Sequence, residues 1–215
     1  MKAWIDRIDL RTGIGLVMLS HAVGMIALFT PFAKHVISLT PLNMVLTAAV
    51  MVVFSKLDAP TVRLALILGA LGYFVEVIGV HTGRIFGNYA YGEALGVKIL
   101  RVPLLIGLNW SMLVFAVGVP MDRAKLPTWA KVLLSSMAMV GLDLLMEPVA
   151  VRLGFWSWEQ GIIPVRNYVA WGITSMAFFS LFFFLPVRRE NPVARYVLLA
   201  QVLFFAGLNL LLPLT

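Results

Sequence analysis

The stretch AKVLLSSMAMVGLDLLMEP, residues 130–148, is long and apolar enough to cross a lipid bilayer as a helix. A spanning helix needs roughly 17–25 predominantly apolar residues, and runs of this kind recur along the chain. The sequence as a whole is 61% hydrophobic and 13% charged, whereas a soluble domain carries about 25% charged residues. The composition therefore predicts an integral membrane protein.

Seven apolar runs are expected to span the membrane. They are residues 13–30, 41–55, 63–83, 101–119, 130–148, 166–186 and 194–214. Backbone groups inside lipid must be bonded within a helix or a closed barrel, and these runs are long and lack in/out alternation, which favours helices. The predicted fold is all-α, a polytopic bundle of about seven transmembrane helices that forms a single membrane domain over residues 1–215. The first run is interpreted as a retained span rather than a cleaved signal peptide.

The distribution of Lys and Arg predicts the orientation of this bundle. Eleven lie on the side of the N-terminus: Lys2, Arg7, Arg11, Lys56, Arg63, Arg123, Lys125, Lys131, Arg188, Arg189 and Arg195. Six lie on the other side: Lys34, Arg84, Lys98, Arg101, Arg152 and Arg166. Because cytoplasmic loops carry the excess, we expect a multi-pass protein of the cell (inner) membrane with a cytoplasmic N-terminus. Membrane topology also accounts for the net charge of +7, so no nucleic-acid partner is expected.

Several classes of membrane protein do not fit the sequence. The chain has no Cys, which excludes disulfides, thiolate catalysis and cysteine metal sites. A retinal protein needs a Schiff-base Lys in its last span, and residues 194–214 contain none. Three scattered His cannot build a membrane di-iron site. An aspartate-rich prenyltransferase would need a second acidic cluster beside 143–147, and a transporter with inverted repeats should show internal symmetry.

Three carboxylates at membrane depth are the primary candidates for a functional site. Ionisable residues inside spans are costly and usually face the interior of a bundle. Asp143 and Glu147 are four residues apart and therefore project from one face of a helix, and Glu76 lies within the third run. Two alternatives remain open at this point: Glu147 could pair with Arg152 or Arg166 at the interface, and Glu76 could be a neutral structural carboxyl.

Other polar and aromatic residues are expected near these carboxylates, in the outer half of the bundle. They are His81, Arg84, Asn109, Trp110, Trp156, Trp158, Asn167 and Trp171. Structural roles are the alternatives: a satisfied histidine for His81, a snorkelling cation for Arg84, and an aromatic belt for the tryptophans. Glycines at 79, 83 and 87 are interpreted as helix packing, and His21 as a structural hydrogen bond.

An acidic and aromatic pocket that opens to lipid suits acid chemistry on an alkene. A carboxylic acid kept neutral by apolar surroundings can donate a proton. A second carboxylate and aromatic faces can stabilise the carbocation that results. Water or a second double bond would then capture the cation. Proton transport requires similar residues, so the pattern alone leaves both functions open.

Two segments carry a resemblance to a known family. They are EVIGVHTGRIFGNYAYGEALGVKILRVPLLIGLNW at 76–110 and GLDLLMEPVAVRLGFWSWEQGIIPVRNYVAWG at 141–172. The second resembles the pattern D-x-x-x-[DE]-P, G-x-W-x-W and I-P-x-x-N-Y-x-x-W of the CruF-type carotenoid biosynthesis family. HAVG at 21–24 and LTPLN at 39–43 resemble its N-terminal features. The chain departs from the pattern at GII before Pro164 and at Arg84, where the family varies.

The resemblance implies a carotenoid hydratase, which adds water to the terminal isopropylidene double bond of an acyclic carotenoid and gives a tertiary alcohol. It implies no metal or redox cofactor, a carotenoid substrate drawn from the lipid phase, water, and other carotenoid biosynthesis enzymes as candidate partners. Carried over by position, the polar motif residues are Glu76, His81, Arg84, Asn88, Tyr89, Tyr91, Asp143, Glu147, Trp156, Trp158, Asn167 and Trp171.

The roles of these residues are our own hypothesis. Asp143 or Glu147 is expected to be the general acid, while the other carboxylate, or Glu76, orients the water. Trp156 and Trp158 would flank the cation, and Asn109 and Asn167 would position groups by hydrogen bonds. A carotenoid cyclase that uses the same cation, and a non-catalytic carotenoid-binding protein, are the alternative functions.

Overall fold

Long apolar helices form the structure, a computed structural model that describes residues 9–56 and 58–212. In that part of the chain the α-helices are α1 (Leu10–Ala27), α2 (Ala33–Ser38), α3 (Thr40–Val53), α4 (Ala59–Thr82), α5 (Leu105–Asp122), α6 (Thr128–Arg152), α7 (Val165–Phe184) and α8 (Ala194–Leu211). The all-α membrane bundle predicted from the sequence is confirmed. Lys2, Arg7 and the end of the last predicted run at 213–214 lie outside the described residues.

Six of the described helices, α1 and α4 to α8, are long and apolar enough to cross a membrane. Helix α3 has 14 residues and is about 21 Å long, which is less than the roughly 30 Å of a bilayer's hydrocarbon core. It nevertheless runs antiparallel to α1. Phe54, after its C-terminus, packs on Gly13 at the start of α1, and Leu39, before its N-terminus, lines a groove with Leu28 at the end of α1. The described residues therefore form six helices long enough to cross and one shorter helix antiparallel to α1, in approximate agreement with the predicted seven.

Two predicted boundaries were wrong for identifiable reasons. The run 101–119 begins too early, because β2 (Lys98–Ile99) and β3 (Val102–Pro103) form a hairpin there. Its turn residues Leu100 and Arg101 have φ angles of 49° and 64°, which a right-handed helix does not allow. The run 130–148 ends too early, because α6 continues through Pro148 to Arg152. A proline removes one bond of the helical ladder, and this helix tolerates that loss.

The loops after α3, α5 and α7 lie together on one face, which we call the basic face. Ion pairs join these loops: Lys56–Glu190 at 2.5 Å, Arg188–Asp58 at 3.4 Å and Arg189–Asp122 at 3.7 Å. Arg189 also donates to the carbonyl oxygens of Phe182 and Leu185 at the end of α7. This grouping agrees with the alternation assumed in counting Lys and Arg. The assignment of this face to the cytoplasm stays a prediction.

A small aromatic sheet closes the opposite end of the bundle. Strand β1 (Tyr89–Tyr91) pairs antiparallel with β4 (Trp156–Trp158), so that Tyr89 is opposite Trp158 and Tyr91 is opposite Trp156. Residues two apart in a strand point to the same face, and the ring centroids of these two pairs lie 5.0 and 6.0 Å apart. We call Tyr89, Tyr91, Trp156 and Trp158 the aromatic sheet. The sequence analysis had not predicted any strand.

Replacing Gly92 with alanine is expected to destabilise this sheet. The amide of Gly92 donates to the carbonyl of Phe155 at 2.9 Å, and a methyl group on Gly92 would overlap the carbonyl oxygen of Gly154. Because backbone must shift to relieve the overlap, we expect a loss of about 1–3 kcal/mol in the free energy of unfolding. Unfolding in detergent, followed by near-ultraviolet circular dichroism, measures it. Gly141→Ala is the control, since nothing lies within 4 Å of its added methyl group; equal stability of both variants would contradict the expectation.

Candidate active site

Glu76 is held by three hydrogen-bond donors inside the bundle. Its side chain lies on α4, and the residue is only 4% exposed. Oε2 accepts from the hydroxyls of Tyr89 at 2.5 Å and Tyr91 at 2.8 Å, and Oε1 accepts from the indole Nε1 of Trp110 at 3.1 Å. Three donors from different elements fix the carboxyl group in one orientation.

The two tyrosines act on Glu76 as donors. Burial raises the pKa of Tyr89 and Tyr91 well above the usual value of a phenol, and the adjacent Glu76 carboxylate raises it further. Both phenols therefore keep their protons throughout the physiological pH range. They can therefore donate hydrogen bonds to Glu76 while Glu76, and not a phenol, is the group that ionises.

Glu147 is likewise held by hydrogen-bond donors, two of which come from β4, the other strand of the aromatic sheet. It is 2% exposed, and its Oε2 accepts from the indole nitrogens of Trp156 at 3.0 Å and Trp158 at 2.7 Å. Its Oε1 accepts from Nδ2 of Asn167 at 3.3 Å. The alternative of an interfacial pair with Arg152 or Arg166 is therefore wrong, because the carboxyl group is buried and its partners are indole and amide groups.

Asp143 lies one helical turn below Glu147 and is fully buried. Its Oδ2 accepts from Nδ2 of Asn167 at 2.7 Å, so that one amide group on α7 bridges both carboxyls of α6. Its Oδ1 is buried and has no hydrogen-bond partner among the described residues. Within residues 9–56 and 58–212, no ion pair involves Asp143, Glu147 or Glu76, and no cluster of three metal-ligating side chains is present.

A cavity of about 30 Å³ lies between Glu76 and Glu147. A site needs roughly 10–15 Å³ of this kind of volume to hold one water molecule, so the cavity has room for one or two. Its lining residues are Glu76, Phe86, Tyr89, Tyr91, Ile106, Asn109, Trp110, Met146, Glu147, Trp156, Trp158, Asn167 and Trp171. Asp143 does not border the cavity. Its carboxyl group is linked to the cavity through Asn167, which also donates to Glu147.

Aromatic faces form much of the wall of this cavity. Trp110 and Trp171 are stacked with ring centroids 4.3 Å apart, and Phe178 packs edge-on against Trp110 at 5.4 Å. Trp110 is almost completely buried because Gly72 on α4 leaves no side chain in its way. The stacked pair is therefore a fixed part of the cavity wall.

A larger groove of about 340 Å³ meets the small cavity. Its volume is within the range of ligand pockets, and its walls are mainly apolar side chains contributed by α1, α2, α3, α5 and α8. Four residues line both spaces: Ile106, Asn109, Met146 and Trp156. The side-chain amide of Asn109 makes no hydrogen bond to any other described residue, so it is available at this junction.

Three predicted site residues lie away from the cavity. His81 and Arg84 are exposed at the end of α4 and beyond it, where Nδ1 of His81 bonds the carbonyl of Val77 at 2.9 Å. Asn88 is also exposed and donates to Glu159 at 2.6 Å, beside the aromatic sheet. The structure brings together the other eleven predicted positions, ten around the cavity and Asp143 behind it.

Three polar residues in the wall of the larger groove were not predicted as site residues. His21, Asn43 and Gln201 are polar groups in its wall, on α1, α3 and α8. His21 was interpreted as structural, and Asn43 entered only as the end of LTPLN. The signal that could have identified them is the presence of polar side chains at membrane depth on three separate helices.

Comparisons with known proteins agree with the geometry. The sequence matches the family described as "Carotenoid biosynthesis protein" over residues 39–214. A bisanhydrobacterioruberin hydratase from Haloarcula japonica is 32% identical in an alignment over 154 residues; the match covers 64% of this chain and 52% of that protein. The chain thus spans about half the length of the curated relative it matches. No solved structure matches the chain.

Proposed function

Because the chain belongs to the carotenoid biosynthesis protein family, we propose that it is a carotenoid hydratase, which adds water to the terminal isopropylidene double bond of an acyclic carotenoid. One observation carries the proposal: an apolar groove of about 340 Å³ meets a water-sized cavity bordered by two carboxyl groups. Hydration of an alkene inside a membrane requires an apolar space for the polyene, a site for water and an acid. The junction at Asn109 and Trp156 brings the three together.

The proton comes from the pair formed by Asp143 and Glu147. Two buried carboxylates that share Asn167 and lack a cation among their partners are costly as two anions, so the pair carries one proton. Glu147 delivers it, because Glu147 borders the cavity and Asp143 does not. The proton adds to the less substituted carbon of the double bond, and the other carbon becomes a tertiary cation. Asp143 acts as a positioning residue for Glu147.

The cation is stabilised by groups already oriented around the cavity. The indole rings of Trp110, Trp156 and Trp171 line it, and cations are attracted to the faces of such rings. The carboxylate of Glu147 remains beside the cation after the proton has left. Because the indole and amide donors hold this carboxylate in place before the reaction, little reorganisation is needed when charge develops.

Glu76 activates the water that captures the cation. Its carboxylate lines the cavity together with Glu147 and is fixed by Tyr89, Tyr91 and Trp110. Water attacks the tertiary carbon and gives one proton to Glu76, and a cavity water returns that proton to the Asp143–Glu147 pair. The reaction therefore combines one alkene and one water into a tertiary alcohol, with no net uptake of protons.

The proposal also assigns a location. The carotenoid enters the groove from the lipid phase of the cell membrane, and the basic face, with its excess of Lys and Arg, lies in the cytoplasm. The aromatic sheet and the cavity then lie toward the non-cytoplasmic side. Enzymes that supply the acyclic carotenoid or use the alcohol are the partners that this arrangement favours.

Replacing Asn109 with leucine is expected to reduce kcat about 10- to 100-fold with little change in KM. The amide lies where the groove meets the cavity, and it orients the attacking water without contributing much to binding of the polyene. Without this amide the water is no longer held in the orientation for attack, and the rate advantage of a correctly oriented reactant is lost. Steady-state kinetics in lipid vesicles measures the effect, with Leu108→Ala as a neighbouring control. An unchanged kcat would remove Asn109 from the reaction.

The direct test of the function is expression in cells that accumulate lycopene, followed by mass spectrometry of the pigments. Hydration adds the mass of one or two waters to the pigment. Cyclisation would change the retention time and leave the mass unchanged, which would replace hydration by the cyclase alternative. A pigment unaltered in mass and retention, after repetition with longer acyclic carotenoids, would contradict both reactions and leave a binding role.

A further inference from the structure

The larger groove contains a buried hydrogen-bond acceptor on α1. His21 is 6% exposed, and its Nδ1 lies 2.9 Å from the carbonyl oxygen of Val17. A carbonyl only accepts, so Nδ1 carries the proton and Nε2 of the neutral ring is an acceptor. The Nε2 atom of His21 lies 3.4 Å from the Nε2 atom of Gln201. This distance is longer than the roughly 2.7–3.2 Å of a good hydrogen bond.

Asn43 contributes a second acceptor to the same groove. Its Oδ1 is buried and has no hydrogen-bond partner among the described residues, although the side chain lines the groove. Most buried polar atoms in proteins are paired. His21, Asn43 and Gln201 come from three helices that are distant in sequence, and together they place two acceptors and one amide donor in an otherwise apolar wall.

These groups do not match a ligand that is only hydrocarbon. A polyene lying against them would exclude water. It would leave Asn43 Oδ1 without a partner and His21 Nε2 with only its long contact to Gln201, and burying a poorly paired polar group is unfavourable. We propose that this part of the groove is a subsite for a hydroxyl group of the carotenoid. The hydroxyl donates to His21 Nε2 or to Asn43 Oδ1, and its oxygen accepts from Gln201 Nε2.

The inference rests on the proposed function for the polyene nature of the ligand, and it narrows the substrate class. The groove selects a carotenoid that already carries a hydroxyl group over the hydrocarbon with the same skeleton. Sites built to bond a hydroxyl discriminate strongly against the analogue that lacks it. We expect the hydroxylated ligand to bind about 5- to 30-fold more tightly, the ratio that one or two hydrogen bonds of about 1 kcal/mol each give.

Binding of a matched pair of ligands tests the subsite directly. The full chain with the Glu147→Gln substitution, which is expected to bind the polyene without hydrating it, is placed in lipid nanodiscs. Quenching of tryptophan fluorescence is then titrated with lycopene and with its monohydroxylated derivative. Trp156 lines the groove, so its quenching reports occupancy. A lower Kd for the hydroxylated carotenoid is the expected result. Equal Kd values in this protein, with His21, Asn43 and Gln201 intact, would overturn the inference whatever the groove variants do.

Variants separate this subsite from other polar groups near the ligand. In the double variant His21→Phe with Gln201→Leu, and in Asn43→Leu, the preference for the hydroxylated ligand should fall several-fold while lycopene binding stays equal or improves. Met44→Leu changes an apolar residue of the same groove and should keep the preference. A preference that survives all the polar-to-apolar changes would assign the hydroxyl to another contact, such as Asn109, and would overturn the subsite.

The outcome is independent of the catalytic proposal. Hydration by the wild-type protein is measured separately by pigment mass. Absence of hydration with the preference intact would contradict the proposed function and leave the subsite standing. Hydration together with equal affinity for both ligands would support the proposed function and contradict the subsite.

Discussion

The Glu147→Gln variant is expected to lose hydration activity by about 10²–10⁴-fold, the usual contribution of a general acid. Glutamine keeps the shape of the side chain and an oxygen that can accept from Trp156 and Trp158, but it cannot give up a proton to an alkene. Initial rates with a carotenoid substrate in lipid vesicles measure the loss. Substrate binding, followed by tryptophan quenching, should change little.

A matched control distinguishes this effect from a general loss of charge. Glu93 is an exposed carboxylate that pairs with Lys98 at 2.7 Å, and it lies outside the cavity. Glu93→Gln should therefore retain activity. If Glu147→Gln retained the activity of the wild-type protein, Glu147 would not be the acid, and the assignment of the proton donor would have to be abandoned.

The Asp143→Asn variant is the second replacement with a large expected effect. Asp143 does not border the cavity, and its Oδ1 has no other partner among the described residues, so its role is to share the proton that Glu147 delivers. An asparagine cannot hold that proton. We expect kcat to fall about 10²- to 10³-fold while KM stays near the wild-type value and the protein remains folded in the membrane.

The division between kcat and KM makes this prediction specific for a positioning residue. A purely structural role would lower stability and the amount of active protein, and it would leave kcat per folded molecule unchanged. Ser135→Ala serves as the control, because Ser135 is equally buried on α6 and its hydroxyl has no partner among the described residues. Full activity of Asp143→Asn would show that Glu147 holds its proton without Asp143.

Most of the helical framework could be predicted from the sequence. Apolar length identified the crossings, because the bilayer fixes how many residues a helix needs. The spacing of Asp143 and Glu147 predicted that both would lie on one helical face, and Asn167 of α7 does contact both. The weakest prediction was the second run, where the helix is short and its crossing depends on packing against α1.

The aromatic sheet and the groove could not be predicted in this way. Tyr89–Tyr91 and Trp156–Trp158 are each three residues long, which is too short for a periodic signal. They pair only because α4 and α6 end on the same face of the bundle. The groove likewise depends on how α1, α3 and α8 pack, so His21 and Asn43 had no local signal of a shared cavity. His81 and Arg84 occupy positions of the family motif, but their side chains are exposed and do not line the cavity.

The central claim is that this protein adds water to a carotenoid double bond, and isotope labelling tests it most directly. Purified protein in lipid vesicles is incubated with an acyclic carotenoid in heavy-oxygen water, and the pigment is extracted for mass spectrometry. The account predicts a tertiary alcohol that carries the heavy oxygen, and no such product from Glu147→Gln. A pigment altered by the wild-type protein without incorporation of the label would contradict hydration.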